Sequence, residues 1–228
     1  MHGLVFDLLP TEAGDHRFLK TGTTTVGMVV RDAVIFATDT RVTSGFFVAH
    51  RKGKKVHPLS SHAAITIAGR VADAQTLIEL LRANINLYQV SRGLKMPIPT
   101  IARLASSFMF NSRFFPYYAQ LIIGGVDSEG PHLYNLDPFG SITEEYLIAT
   151  GSGSPVAYGV LESEYKTDLP FEDAVKLSFR AVAASIKRDA GSGDSIDVAY
   201  VRKDSGYGEL SVDEKAPLYN LYLKYIPT

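Results

Sequence analysis

The amino-acid sequence predicts an α+β fold in which stacked sheets lie between outer helices. Predicted strands and helices come in separate runs, in the order strands, two helices, strands, two helices and a strand, with little βαβ alternation. The first two strands, residues 23–30 and 33–39, do not alternate between apolar and polar residues. Strands that are apolar on both faces are covered on both faces, so these two are expected inside a multilayer sandwich.

Four strands are predicted in the first third of the chain, at residues 23–30, 33–39, 46–50 and 63–69. Arg31 and Asp32 form a turn signal, so the first two strands are expected to make a hairpin. A basic run, Arg51–Lys55, is expected to be a solvent-exposed turn between the next two strands. Two helices follow, at residues 71–90 and 99–115, because apolar residues recur there at helical spacing.

The second half of the chain repeats this order. Three strands are predicted first, at residues 119–126, 132–136 and 146–150. Ser154 is a good N-cap and is followed by proline, so a helix is expected over 154–165. A further helix at 171–188 and a strand at 195–201 complete the pattern, and the tail from Pro217 receives no assignment.

The composition of the chain argues against several classes of partner and site. The 228 residues carry a formal net charge of −1, which argues against a nucleic-acid or anionic-membrane partner. There is no cysteine, which excludes disulfides and thiolate chemistry, and the six histidines form no metal-binding motif. No apolar run approaches the roughly 18 residues of a membrane span, and the start of the chain does not resemble a signal peptide. We therefore expect a cytoplasmic protein without a metal site.

The junction between Gly22 and Thr23 divides the chain into an expected leader, residues 1–22, and a single folded domain, residues 23–228. Cleavage there would leave Thr23 with a free α-amino group, which can act as the general base for its own hydroxyl. Glycine at the preceding position lets that hydroxyl approach the Gly22 carbonyl. The alternative is an ordinary threonine-rich strand start, since threonine favours strands.

A series of short motifs occurs in the order and at the spacing seen in proteasome β-subunits. They are Thr23–Gly27, Asp39–Arg41, Gly53–Lys55, Ile67–Gly69, Ala72–Gln75, Gly151–Ser154, Tyr158–Glu162, Arg188–Asp189 with Ser192, and Ile196–Ala199. The chain resembles this family over nearly all of residues 20–201, most closely the archaeal type. The resemblance implies the four-layer αββα sandwich of N-terminal-nucleophile hydrolases and hydrolysis of peptide bonds without a metal or organic cofactor.

The resemblance also implies roles for individual residues. Thr23 matches the nucleophile, released by self-cleavage between Gly22 and Thr23, and Lys55 matches a cation that keeps the terminal amine neutral. Asp39 matches the acid that holds this lysine, and Gly69 matches a backbone donor to the oxyanion. The residues that match polar support for the threonine are Ser152, Asp189 and Ser192. Arg41 matches a position near the site with a structural role.

Four further residues match the wall of the pocket beside the scissile bond, namely Val42, Gly53, Ile67 and Val71. None of them is charged, so cleavage after large hydrophobic or aromatic residues is expected, because a charged side chain would lose its solvation there.

The implied partners are other β-subunits in a heptameric ring, a ring of proteasome α-subunits, an ATPase unfoldase that acts indirectly, and polypeptide substrates. Two other functions share the fold. One is the simpler bacterial ATP-dependent protease that assembles without α-subunits, and the other is a non-catalytic ring subunit. The presence of threonine, acid and lysine together favours a catalytic subunit.

Overall fold

A computed structural model describes residues 22–223. Its first sheet has five antiparallel strands in the order β10-β1-β2-β11-β12. Their bounds are Leu147–Thr150 for β10, Thr25–Val30 for β1, Ala33–Asp39 for β2, Ile196–Arg202 for β11 and Gly206–Glu209 for β12. The second antiparallel sheet has the order β5-β6-β7-β8-β9. Its strands are Val56–Ser60, Ala63–Gly69, Ala119–Val126, Pro131–Leu136 and Ile142–Glu144.

Helices cover the outer face of each sheet. Helices α1 (Val71–Arg92) and α2 (Ile98–Asn111) pack on the second sheet. Helices α3 (Ser154–Glu164), α4 (Phe171–Ile186) and α5 (Val212–Tyr222) pack on the first sheet. The predicted α+β class and the four-layer αββα sandwich are therefore confirmed.

The two sheets bury a shared apolar layer between them. Its members come from both sheets, among them Phe36, Ile122, Leu133 and Val201. Every residue of β1 and β2 is buried, one face against this layer and the other against the helices. Burial on both faces explains why these strands do not alternate between apolar and polar residues, as predicted from the sequence.

One predicted connection differs from the structure. Strand β4 (Phe47–His50) does not continue across the basic run into the second sheet; it pairs with a short strand, β3 (Val42–Ser44), in a separate ribbon. The basic run leads instead into β5, which pairs with β6. Lys55, at the end of that run, is only 7% exposed, so the expectation of a solvent-exposed turn is wrong for this residue.

The first part of the tail, residues 217–222, belongs to α5. Ser211 and Glu214 cap the start of this helix reciprocally. Pro217 lies inside this helix. Proline has no backbone N–H, so it removes one hydrogen bond of the helix, and a proline at an interior position usually ends or kinks a helix. Tertiary contacts offset this loss, because the Tyr219 ring packs edge-on against Phe179 and its hydroxyl accepts a hydrogen bond from the Ile196 amide at 2.6 Å.

The predicted leader lies outside the described residues except for Gly22, and so does the end of the tail after residue 223. Within residues 22–223, none of the helices is both long and apolar enough to cross a bilayer.

Candidate active site

Three neighbouring strands bring the predicted site residues to one end of the first sheet. Thr23 lies two residues before Thr25, the first residue of β1, and β1 lies between β10 and β2. Thr25 pairs with Thr38 on one side and with Thr150 on the other. Asp39, the last residue of β2, and Ser152, just after β10, therefore lie beside Thr23.

Threonines also link the strands through their side chains. The hydroxyls of Thr25 and Thr150 are 2.6 Å apart, and Thr66 of the second sheet donates a hydrogen bond to Thr25 at 3.3 Å. The start of β1 is thus fixed to both sheets.

A buried lysine, carboxylate and threonine hydroxyl form the centre of the site. Lys55 Nζ lies 2.6 Å from Asp39 Oδ1 and is in close contact with Thr23 Oγ1. The Thr23 hydroxyl also donates to Asp39 Oδ1 at 3.1 Å. Exposed fractions are 4% for Thr23, 0% for Asp39 and 7% for Lys55. Charges this deep in a protein persist only when they are paired and hydrogen-bonded.

Backbone amides complete the coordination of the Asp39 carboxylate. Oδ1 accepts from the Thr24 amide at 2.8 Å. Oδ2 accepts from the amides of Arg41 at 3.1 Å and Gly193 at 3.0 Å. With the lysine and the threonine hydroxyl, these donors fix the carboxylate and hence the lysine.

Burial lowers the pKa of Lys55 from its ordinary value, and the neighbouring Asp39 opposes that shift. Asp39 thus stabilises the Lys55 ammonium, while burial makes that ammonium a stronger acid than the ammonium of a free lysine. A lysine in this position can exchange a proton with the threonine hydroxyl that it contacts.

A second hydrogen-bond chain holds the backbone of Thr23. The Thr23 amide donates to Ser152 Oγ at 3.1 Å, and that hydroxyl donates to Asp189 Oδ2 at 2.6 Å. Ser192 donates to the same oxygen at 2.6 Å and lies 2.7 Å from the hydroxyl of Thr24. The structure therefore brings together all three predicted supporting residues, and adds Thr24.

Arg41 lies at the edge of this site and joins two loops. Its Nε donates to Asp194 at 2.9 Å, and Arg51 reaches the same carboxylate at 3.2 Å. Asp194 has φ of +68°, a left-handed conformation that is uncommon outside glycine. The ion pairs fix the loop whose Gly193 amide donates to Asp39.

Gly69 ends β6 with φ of +143°, and a Cβ there would run into the carbonyl oxygen of Tyr118. Only glycine fits this backbone position. Gly69 borders a cavity of about 400 Å³ that also reaches Gly22, Thr23 and Lys55. All four predicted pocket residues, Val42, Gly53, Ile67 and Val71, line the same cavity.

The cavity is also lined by Arg41, which was expected near the site, and by six polar or charged residues that were not predicted, namely Thr43, His50, Lys52, Lys54, His57 and Gln75. Simple periodicity could have found two of them. His57 follows Lys55 by two residues at the start of a strand, and Gln75 follows Val71 by one helical turn, so each shares a face with its partner. Burial lowers the pKa of His57, so its neutral form is favoured.

Comparisons with known proteins identify the family of this chain. A family model described as "Proteasome subunit" matches residues 19–201. "Proteasome subunit beta 2" of Aeropyrum pernix is 47% identical over 206 residues, covering 90% of this chain and 91% of the relative. "Proteasome subunit beta 1" of Caldivirga maquilingensis is 48% identical, covering 86% of this chain and 96% of the relative.

"Proteasome subunit beta" of Thermoplasma acidophilum is 42% identical over 196 residues, covering 86% of this chain and 92% of the relative. A family model that spans most of the chain agrees with relatives that align along nearly all of it. This chain therefore belongs to the proteasome β-subunit family.

Proposed function

We propose that this chain is a catalytic β-subunit of a proteasome core particle, and that it hydrolyses peptide bonds of unfolded polypeptides with Thr23 as the nucleophile. The observation that carries the proposal is the buried contact of the Thr23 hydroxyl with both Lys55 and Asp39, at the border of a cavity. A threonine hydroxyl is a weak nucleophile, and an adjacent base is what activates it.

Self-cleavage between Gly22 and Thr23 is the first step of this function. While Gly22 is attached, the Thr23 nitrogen is an amide without a basic lone pair, so Lys55 in its neutral form takes the hydroxyl proton. The Thr23 oxygen then forms a bond to the Gly22 carbonyl carbon. The bond between that carbon and the Thr23 nitrogen breaks, and the nitrogen takes the proton from Lys55 to become an amine. Water hydrolyses the resulting ester and releases residues 1–22.

The new amine takes over as the base for substrate cleavage. Its nitrogen lies 3.1 Å from Ser152 Oγ, within the chain of hydrogen bonds that ends at Asp189. An α-amino group has a pKa of about 7.7–8.0, and the neighbouring Lys55 ammonium favours its neutral form. Asp39 keeps that ammonium in place.

Substrate hydrolysis then repeats the chemistry of self-cleavage. The Thr23 oxygen attacks the scissile carbonyl carbon, the Gly69 amide stabilises the oxyanion, and the leaving nitrogen takes a proton. Water hydrolyses the acyl ester and regenerates the threonine. The side chain before the scissile bond enters the cavity bounded by Val42, Ile67 and Val71.

The proposed partners follow from the family. The chain forms a heptameric ring with other β-subunits and stacks on a ring of α-subunits in the cytoplasm, and an ATPase unfoldase delivers substrates. Several large apolar side chains on the surface support such contacts, among them Phe46, Phe47, Leu87, Val90, Phe114 and Phe115.

Peptide turnover by the assembled particle tests the proposal. Particles with the parental chain are expected to cleave a fluorogenic peptide, particles with Thr23→Ser to retain measurable turnover, and particles with Thr23→Ala to lose it. A non-catalytic ring subunit would give the same turnover in all three. Activity of rings formed without α-subunits would instead favour the bacterial type of protease.

A further inference from the structure

Two glycine residues cross so closely beside the cleavage junction that neither leaves room for a side chain. A Cβ on Gly22 would collide with the Cα of Gly191, and its other two nearest atoms, at 2.8 and 3.0 Å, also belong to Gly191. A Cβ on Gly191 would in turn collide with the Cα of Gly22. The φ of Gly191 lies outside the left-handed region, so close approach alone requires glycine there.

Thr43 holds Gly22 from a second direction. The Gly22 amide donates a hydrogen bond to Thr43 Oγ1 at 2.7 Å, and Thr43 is a buried residue of β3. Gly191 is fixed as well, because its amide donates to Asp189 Oδ1 at 3.2 Å. Gly22 is therefore held by a side-chain acceptor and by a backbone that is itself anchored.

We propose that Gly191 and Thr43 are positioning residues for leader removal, and that they hold Gly22 so that its carbonyl carbon meets the Thr23 hydroxyl. The proposal rests on the proposed self-cleavage at Gly22–Thr23. The proposal adds that the close crossing of Gly22 and Gly191 serves leader removal only. Once Gly22 has left, the nearest atom to a Cβ on Gly191 is Ser152 Oγ at 3.0 Å, and the collisions with Gly22 no longer exist.

The geometry sets the size of the effect. Carbon atoms in contact lie about 3.5–4.0 Å apart, so a Cβ on Gly191 must displace Gly22 by roughly 1 Å or more. A misplacement of about 1 Å in a reacting group can slow a reaction about 100-fold. Gly191→Ala is therefore expected to slow leader removal by about this factor.

The test compares two forms of the same variants. In the first form, the full chain assembles with its leader, and intact mass spectrometry follows the loss of residues 1–22 over time. In the second form, a removable fusion is cleaved to expose Thr23 directly, and the assembled particle is assayed with a fluorogenic peptide. Gly159→Ala is the matched control, because a Cβ at Gly159 meets no atom within 4 Å.

Gly191→Ala is expected to retain its leader about 100 times longer than the parental chain or the Gly159→Ala control. When Thr23 is exposed directly, the same variant is expected to keep most of the parental peptide hydrolysis, because the nearest remaining atom is Ser152 Oγ at 3.0 Å and a serine hydroxyl can move by a few tenths of an ångström. This contrast also shows that the variant folds and assembles. A general loss of structure would impair both forms alike.

Thr43 gives an independent pair of variants. Thr43→Val keeps the shape but removes the acceptor, and is expected to slow leader removal about fivefold, the value of one ordinary hydrogen bond. Thr43→Ser keeps the oxygen and is expected to restore the parental rate of leader removal.

Leader removal at the parental rate in Gly191→Ala would overturn the proposal. Equal rates in Thr43→Val and Thr43→Ser would remove Thr43 from it. Loss of peptide hydrolysis in the directly exposed form of Gly191→Ala would also contradict it, because the crossing would then serve the mature site. If the parental full chain never loses its leader while its exposed form cleaves peptides, the proposed self-cleavage fails and this inference fails with it.

Discussion

Replacing Lys55 by methionine tests the centre of the site most directly. The substitution keeps a chain of similar length but removes the ammonium that lies 2.6 Å from Asp39. Asp39 is completely buried, so its carboxylate would lose its counter-charge without gaining access to water. Four hydrogen-bond donors would remain, the Thr23 hydroxyl and the amides of Thr24, Arg41 and Gly193.

The cost in stability can be estimated from these contacts. Removing one partner of a buried ion pair costs about 3–5 kcal/mol, and the four remaining donors favour the lower end of that range. In a chain of this size 1 kcal/mol shifts Tm by about 2–4 °C, so Lys55→Met should lower Tm by about 6–12 °C. In an Asp39→Asn background the same substitution should cost much less, since no carboxylate is left unpaired.

The effect of Lys55→Met on catalysis should be larger than its effect on stability, and the two can be measured separately. General acid-base groups contribute about 10²–10⁴-fold to a rate, so both leader removal and peptide hydrolysis should fall by at least two orders of magnitude. Lys55→Arg keeps the charge but not the compact, titratable ammonium, and should fail nearly as badly.

Thermal unfolding, intact mass and fluorogenic-peptide turnover measure these effects. The matched control is Lys176→Met, because Lys176 forms an exposed ion pair with Asp173, with side chains 49% and 53% exposed. Exposed pairs contribute about 0–1 kcal/mol, so this control should keep parental stability and turnover. A Lys55→Met protein that matures, cleaves peptides and unfolds like the control would refute the reasoning.

Two further predictions concern pH and substrate choice. Burial lowers the pKa of His62, so below the ordinary histidine pKa of about 6.5 the unfolded chain binds a proton at this residue more strongly than the folded chain does. The stability of the fold should therefore decrease as the pH drops from 7 to 5. His62→Gln should reduce this decrease, measured as Tm against pH, and an unchanged profile would contradict the prediction. Peptides with a large apolar residue before the scissile bond should turn over at least tenfold faster than those with arginine, because Ile67 is apolar and Lys52 at the cavity repels a cation. Fastest turnover of arginine or glutamate peptides in a fluorogenic panel would contradict this.

Much of the fold follows from periodicity in the sequence. The helix from Val71 has its buried residues at the predicted helical spacing, and the buried strands β1 and β2 lie at the predicted positions. Strands β3 and β9, of three residues each, have too few residues for a period to be visible. Helix α5 could not be predicted through Pro217, since contacts of Tyr219 with distant parts of the chain offset the missing amide.

The site was predictable where a residue type carries the chemistry by itself. Thr23, Asp39 and Lys55 belong to recognisable motifs, and the structure brings them into contact. The hydrogen bonds of Thr24 and Gly193 to Asp39 come from backbone amides, which every residue except proline possesses, so the sequence carries no signal for them. Gly22 and Gly191 are 169 positions apart in the sequence, so only the tertiary structure reveals that they cross.

The attachment of Thr25 to both sheets has a consequence for any chain end created at Thr23. The ends of most domains fray, because few contacts restrain them. Here the third residue of the new chain would pair with Thr38 and Thr150 and accept a hydrogen bond from Thr66. Such an end has already lost its conformational freedom during folding, so orienting its amine for each turnover carries little further entropic cost. The loosest point of an ordinary protein would become one of the most rigid points of this one.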